Sequence, residues 1–146
     1  MKTVLFDIDG TLADIEHRRH YVEGDTQNWT AFFDEMGTDT VNAPVVDLYN
    51  VLWAHPDYEC IVLSGRPANF RALTETWFTW NEIPFSRIEM RGAKDNRRDD
   101  LVKQEILDRL LAEGKEIAFV VDDRQQVVDM WRANGITCFQ CDVGDF

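Results

Sequence analysis

Short apolar and β-branched runs at 2–7 (KTVLFD), 58–63 (YECIVL), 87–90, 117–121 (IAFVV) and 136–140 alternate with segments whose apolar residues recur at helical spacing. That alternation is the strongest constraint on the fold, because strands separated by helix-length crossovers pair in parallel. The helical segments begin at Pro44, where Val45, Leu48, Leu52 and Val46, Tyr49, Trp53 form two lines that His55-Pro56 ends. They continue over 67–81, with Phe70, Leu73, Trp77 and Trp80 on one face, over 98–113, with Val102, Ile106 and Leu110 in line, and over 124–134, closed by Asn134-Gly135. The expected architecture is an α/β, Rossmann-like, mostly parallel sheet flanked by helices. The stretch 13–41, punctuated by Gly24 and Gly37 with a short helix over 27–36, reads as a small cap insert after the first strand.

A chain of 146 residues suits one domain, here 1–146. A domain of that size buries roughly 70% of the surface its unfolded chain exposes and needs no disulfide or structural metal to fold. Its 15 basic and 27 acidic residues give a net charge of −12, which repels polyanions at long range. A nucleic acid substrate would therefore need a local basic surface. Cys60, Cys138 and Cys141 are an odd set, and Cys138–Cys141 is one C-x-x-C without a second half, so strand cysteines in a reducing compartment are expected, not a zinc site. No signal peptide or membrane-spanning run is evident, and the expected location is the cytoplasm.

In a parallel sheet the active site lies beyond the carboxyl ends of the strands. Three such ends carry the informative residues: Asp7-Ile8-Asp9-Gly10-Thr11, Ser64-Gly65-Arg66 and Asp122-Asp123-Arg124. Converging carboxylates repel unless a cation joins them. An all-oxygen donor set with no His or Cys suits Mg²⁺. Asp7 and Asp9, two apart on extended backbone, face one side and can meet one phosphorus atom. Asp7 could attack it while Asp9 exchanges protons with the leaving oxygen and the hydrolytic water, help worth about 10²–10⁴-fold. The Ser64 hydroxyl and neighbouring N–H groups such as that of Gly65 could hold phosphate oxygens. Lys103 is the cation best placed to balance the phosphoryl charge, with Arg66 and Arg124 to assist.

D-I-D-G-T-L, then L-S-G-R, a helical lysine and V-V-D-D-R resembles, in that order, the haloacid dehalogenase superfamily of aspartate-nucleophile phosphatases. Within it the chain is most similar to the 3′-phosphatase domains of bacteriophage polynucleotide kinase/phosphatases. The stretches that carry this are N-A-P-V-V-D-L (42–48), R-R-D-D-L-V-K-Q-E-I-L (97–107), V-D-D-R-Q-Q-V-V-D-M-W-R-A-N-G-I-T-C-F-Q (121–140) and V-G-D-F (143–146). The resemblance implies Asp7 as nucleophile and Mg²⁺ ligand, and Asp9 as acid–base that also lends the metal its backbone carbonyl. It implies Asp122 and Asp123 as the rest of the metal site, and Ser64, Arg66 and Lys103 as phosphate binders, with Thr11 and Gly65 completing the set. Arg91, Arg97 and Arg98 would correspond to substrate-binding basic residues. The implied reaction is Mg²⁺-dependent removal of 3′-phosphate from DNA or RNA ends, with free nucleotides as the alternative substrate and a non-catalytic binding module as a third reading. A separate kinase or ligase would be a natural partner, since no G-x-x-x-x-G-K-[ST] loop is present and kinase activity is not expected.

Arg18 and Arg19 follow the nucleophile, where a substrate must enter, and are expected either to contact it or to be solvated. Arg87, Arg91, Lys94, Arg97, Arg98 and Lys103 form a locally positive run that would steer a short phosphodiester chain. His17 and His20 read as surface residues. The five tryptophans read mainly as core, Trp29 in the cap being the exception.

Overall fold

The computed structural model describes residues 1–146. Five strands form one parallel sheet in the order β5-β4-β1-β6-β7. They are β1 (Lys2–Phe6), β4 (Tyr58–Pro67), β5 (Ile88–Arg91), β6 (Ile117–Arg124) and β7 (Cys138–Gly144). Successive residues of β1 point to opposite faces and all are buried past Lys2, as a sheet covered on both sides requires. Val4 and Phe6 join the larger core under α3 (Ala43–Ala54) and α4 (Arg71–Trp80), with Tyr49, Trp77 and Phe78. Leu5 joins the second core, under α5 (Asp99–Ala112) and α6 (Gln125–Ala133), with Val102, Ile106, Val127 and Trp131.

β1 has β4 on one side and β6 on the other, so the chain leaves its carboxyl end at a point where the crossovers diverge. A crevice opens there as a consequence of topology. The insert over 13–41 sits above it. Its neck is a two-stranded antiparallel ladder between β2 (Ala13–Asp14) and β3 (Thr40–Val41). Within it lie the short α1 (Glu16–Arg19) and α2 (Trp29–Asp34) and a small core of Ile15, Val22 and Phe32. Asn28 caps α2 by accepting the Ala31 N–H.

The expected fold class is observed, with three local differences. Strands β4, β6 and β7 run three or more residues past the expected 63, 121 and 140, because the polar segments at their ends stay extended and paired. Pro67 ends β4, and a 3₁₀ turn at Ala68–Phe70 precedes α4. The buried face of α4 is Thr74, Trp77 and Phe78, and Trp80 is 85% exposed. No helix is long and apolar enough to cross a membrane.

Candidate active site

The three strand ends converge as the topology requires. Asp7 follows β1, its N–H donating to the Val121 carbonyl. Its Oδ1 takes the Lys103 ammonium at 2.8 Å and its Oδ2 the Thr11 hydroxyl at 3.2 Å. Lys103 rises from α5 into the same space and also meets Asp122 Oδ2 at 3.3 Å and Asp99 Oδ2 at 3.5 Å. Asp122 is held by its partners: Trp131 Nε1 donates to its Oδ2, and the backbone N–H groups of Asp123 and Arg124 donate to its Oδ1. Gly10 has φ +80, and a Cβ there would lie 2.1 Å from Asp123 Oδ2, so only glycine lets the loop close over that carboxylate.

Asp7, Asp122 and Asp123 are all buried and can bring carboxylate oxygens within 4.8 Å of one another. Burial, then the neighbouring Asp122, pushes the Asp7 carboxyl up to about 7 despite Lys103. Burial and the Asp7 charge hold Asp123 well above the usual carboxylate range. Lys103 stays charged: burial opposes it, but Asp122, Asp7 and Asp99 together hold its pKa well above normal. One ammonium among four acids leaves surplus negative charge, and a hard dication with oxygen ligands fits that surplus.

Asp9 differs from Asp7. Arg66 Nη2 reaches its Oδ1 at 2.7 Å, Arg66 Nε lies 3.3 Å from Oδ2, and Arg18 Nη2 meets Oδ1 at 2.5 Å. Burial would raise its pKa, but the two guanidiniums overcome this and hold Asp9 well below the usual range. Both arginines are themselves fully buried, fixed by Asp39 from the insert, which pairs with Arg18 at 2.6 Å and Arg66 at 3.5 Å. Asp39 also bonds His17 Nε2 at 2.6 Å and accepts Trp77 Nε1 on its carbonyl. The insert is thus tied to Asp9 by ion pairs.

The candidate recess is lined by the polar Asp7, Asp9, Asp99, Lys103, Asp123 and Arg124, by Gly65, and by the aromatic Trp29, Phe32, Phe33 and Phe146. Several sequence-derived candidates lie elsewhere. Thr11 faces Asp7 and Asp123 from beneath and bonds both, so it orients carboxylates and does not meet the open space. The Ser64 hydroxyl is buried and accepts the Arg66 N–H, while Gly65 lines the recess. Arg66 is pinned on Asp9 and Thr74. Arg18 is neither solvated nor open to substrate. Arg91, Arg97 and Arg98 line an adjoining outer groove.

The expected steering run is largely consumed by ion pairs. Arg87 pairs with Glu89 and Glu113, Arg97 with Asp95 and Glu105, and Arg98 with Asp100. Arg91 is spent on the carbonyls of Gly65, Asp95 and Arg97 and on Asp99. Sequence reasoning also missed three contributors. Asp99 had a signal, its i, i+4 spacing from Lys103 on one helix face. Phe146 had only its place at the end of the V-G-D-F stretch, and Asp39 had no signal, since it reaches the site through tertiary packing.

The family model for the phosphatase domain of polynucleotide kinase PNKP matches residues 1–146. Chains in two structures of a Pnkp1/Rnl/Hen1 RNA repair complex are 32% identical over 99% of this chain, each with a TM-score of 0.85. The chain spans 43% and 46% of their lengths, less than half of either. A class C acid phosphatase from Bacillus anthracis with tungstate bound is 15% identical, covers 99% of this chain with 67% of its own length, and has a TM-score of 0.67, a likeness of fold alone. With a parallel α/β sheet that places paired aspartates beside a buried lysine at its carboxyl edge, the chain belongs to the polynucleotide kinase PNKP phosphatase domain family, phosphoric monoester hydrolases of haloacid dehalogenase-like fold.

Proposed function

We propose that residues 1–146 form one phosphatase domain that removes 3′-phosphate from nucleic acid ends, with Mg²⁺ and through an aspartyl-phosphate on Asp7. The observation that carries this reading is the Asp7 carboxylate, held by Lys103 and Thr11 beside Asp122 and Asp123 and opening on a recess that Asp9 also lines. Asp7 Oδ attacks phosphorus, the P–O ester bond breaks, and the departing 3′-oxygen takes a proton from Asp9. A water then gives its proton to Asp9 and attacks the acyl phosphate, releasing phosphate and regenerating Asp7. Lys103 neutralises charge on the phosphoryl oxygens, and Gly65, which lines the same recess, would offer its backbone N–H to a further oxygen. Mg²⁺, held by Asp7, Asp122, Asp123 and the Asp9 carbonyl, would supply the positive charge that brings two anions together.

Arg66 and Arg18 favour the ionised form of Asp9, the form that serves the second step. The first step needs it protonated, and an arriving phosphate dianion raises its proton affinity in that direction. Arg18, Arg66 and Asp39 act by holding Asp9. The likeness to chains of an RNA repair complex supports a nucleic acid substrate and work alongside a separate kinase or ligase.

A second reading, phosphate release from free nucleotides, is favoured by the −12 charge and the paired basic run. The test is Mg²⁺-dependent phosphate release from a 3′-phosphorylated oligonucleotide beside 3′- and 5′-mononucleotides, with Asp7→Asn as control. Preference for the oligonucleotide and an inactive Asp7→Asn protein are expected. Preference for a mononucleotide would move the substrate to free nucleotides, and an active Asp7→Asn protein would end the nucleophile assignment.

A further inference from the structure

The catalytic recess offers about 40 Å³ to solvent, against about 480 Å³ for the adjoining groove. A water needs roughly 10–15 Å³ on that measure, so the recess admits a phosphoryl group and no more. Whatever carries the phosphate must stay in the groove. The two spaces share four walls: Trp29, Asp99, Arg124 and Phe146.

Those walls are built for a flat, weakly polar group. Trp29 is half-buried, edge-on to Phe32 and tilted against Phe146, with ring centroids 5.5 and 6.4 Å apart. The Arg124 guanidinium lies over both rings, 5.3 Å from Trp29 and 5.0 Å from Phe146, and its Nε donates to the Phe146 carbonyl at 2.8 Å. A guanidinium flanked by aromatic rings is a stacking surface for a nucleobase. The amides of Gln27, Asn96 and Gln126 line the same groove and can meet the edge of any base. Charge offers little alternative, because the groove's Arg91 and Arg97 are already paired and the molecule carries −12.

We propose that the groove seats the nucleoside bearing the scissile phosphate, its base stacked on the Trp29–Arg124–Phe146 surface, so that the terminal nucleotide is held by stacking and any advantage of a longer chain does not come from a run of phosphates held by charge. This rests on the reading of the site as a phosphatase of nucleic acid ends, which it sharpens. The test compares kcat/KM for two oligonucleotides of one sequence, one ending in a 3′-phosphate on a normal nucleotide, the other on an abasic sugar. The parent protein is expected to prefer the base-bearing end by about tenfold, the scale of one base–aromatic stack. Trp29→Ala is expected to bring that ratio towards one, mainly through KM, and Trp29→Phe to restore most of it. Raising salt from 50 to 200 mM should lower kcat/KM by well under the roughly 10³-fold expected of a protein contacting several phosphates. Equal use of both ends by the parent, or an unchanged ratio in an active Trp29→Ala protein, would overturn the stacking seat and leave the phosphatase reading intact. No phosphate release from either end would overturn both.

Discussion

Lys103 is 1% exposed and within 3.5 Å of Asp7, Asp99 and Asp122. Removing one partner of a buried ionic cluster costs about 3–5 kcal/mol. Lys103→Met is therefore expected to lower stability by that order in chelator, to lose less in millimolar Mg²⁺, and to have no measurable turnover. Urea unfolding with and without Mg²⁺ reads the first two. The Asp7 carboxyl, raised to about 7 from an unfolded value near 3.8, binds a proton more tightly folded than unfolded. Its proton-linked stabilisation is full below about pH 4 and is lost as pH rises through 7. In chelator the melting temperature should therefore fall between pH 5 and 8, and the gain on adding Mg²⁺ should be larger at pH 8. A Mg²⁺ gain that is greater at pH 5 would show that these carboxylates do not bind the ion. Asp9, held ionised, contributes in the opposite sense, its stabilisation being lost only as pH falls below about 4.

Most elements were legible in the sequence. Val4, Leu5 and Phe6, or Val102, Ile106 and Leu110, have no role but burial, so their spacing reports the element directly. The strand ends were legible in chemistry but not in length. Ser64, Asp122 and Asp123 are as buried as core residues; the Ser64 hydroxyl is met locally by the Arg66 N–H, but Asp122 depends on Lys103 and Trp131, each on a helix outside its own strand, and Asp123 on Thr11, 112 residues away. Local periodicity carries no trace of such partners. The same blindness misplaced the buried face of α4, where Thr74 is inward because Arg66 donates to its hydroxyl. Trp80→Gln is accordingly expected to change stability by less than about 0.5 kcal/mol, as exposed substitutions do. Trp77→Ala, which empties a core site and frees the Asp39 carbonyl, should cost about 3–5 kcal/mol. Comparable losses in the two, measured by denaturant unfolding, would reverse the assignment of faces.

At the scale of the molecule, two cores grip the sheet while the 13–41 insert is held by polar ties. Asp39 is the chief one, reaching Arg18 and Arg66 from β3's threshold. Asp39→Ala is expected to destabilise by about 3 kcal/mol through two under-partnered guanidiniums. It should also lower kcat strongly with little change in Mg²⁺ affinity, because Asp7, Asp122 and Asp123, the proposed metal ligands, are untouched; isothermal titration beside steady-state kinetics separates the two. The Asp39 ties were not legible beforehand, since the fixed points of the insert are charges paired across 21 residues to Arg18 and 27 residues to Arg66.

The neck of the insert has a consequence for its length. Ala13 and Val41 are clasped in a two-residue ladder, and the Asn42 N–H returns to the Leu12 carbonyl at 2.8 Å. The sheet therefore meets a closed ring, not a free span, and what lies at its far side is mechanically insulated. Gly24, solvent-exposed with φ +82 and open space around it, is that far side. Doubling a loop costs only about 0.6 kcal/mol in closure entropy. A foreign peptide spliced at Gly24 should ride on the domain without unfolding it, which a melting temperature close to that of the parent would show.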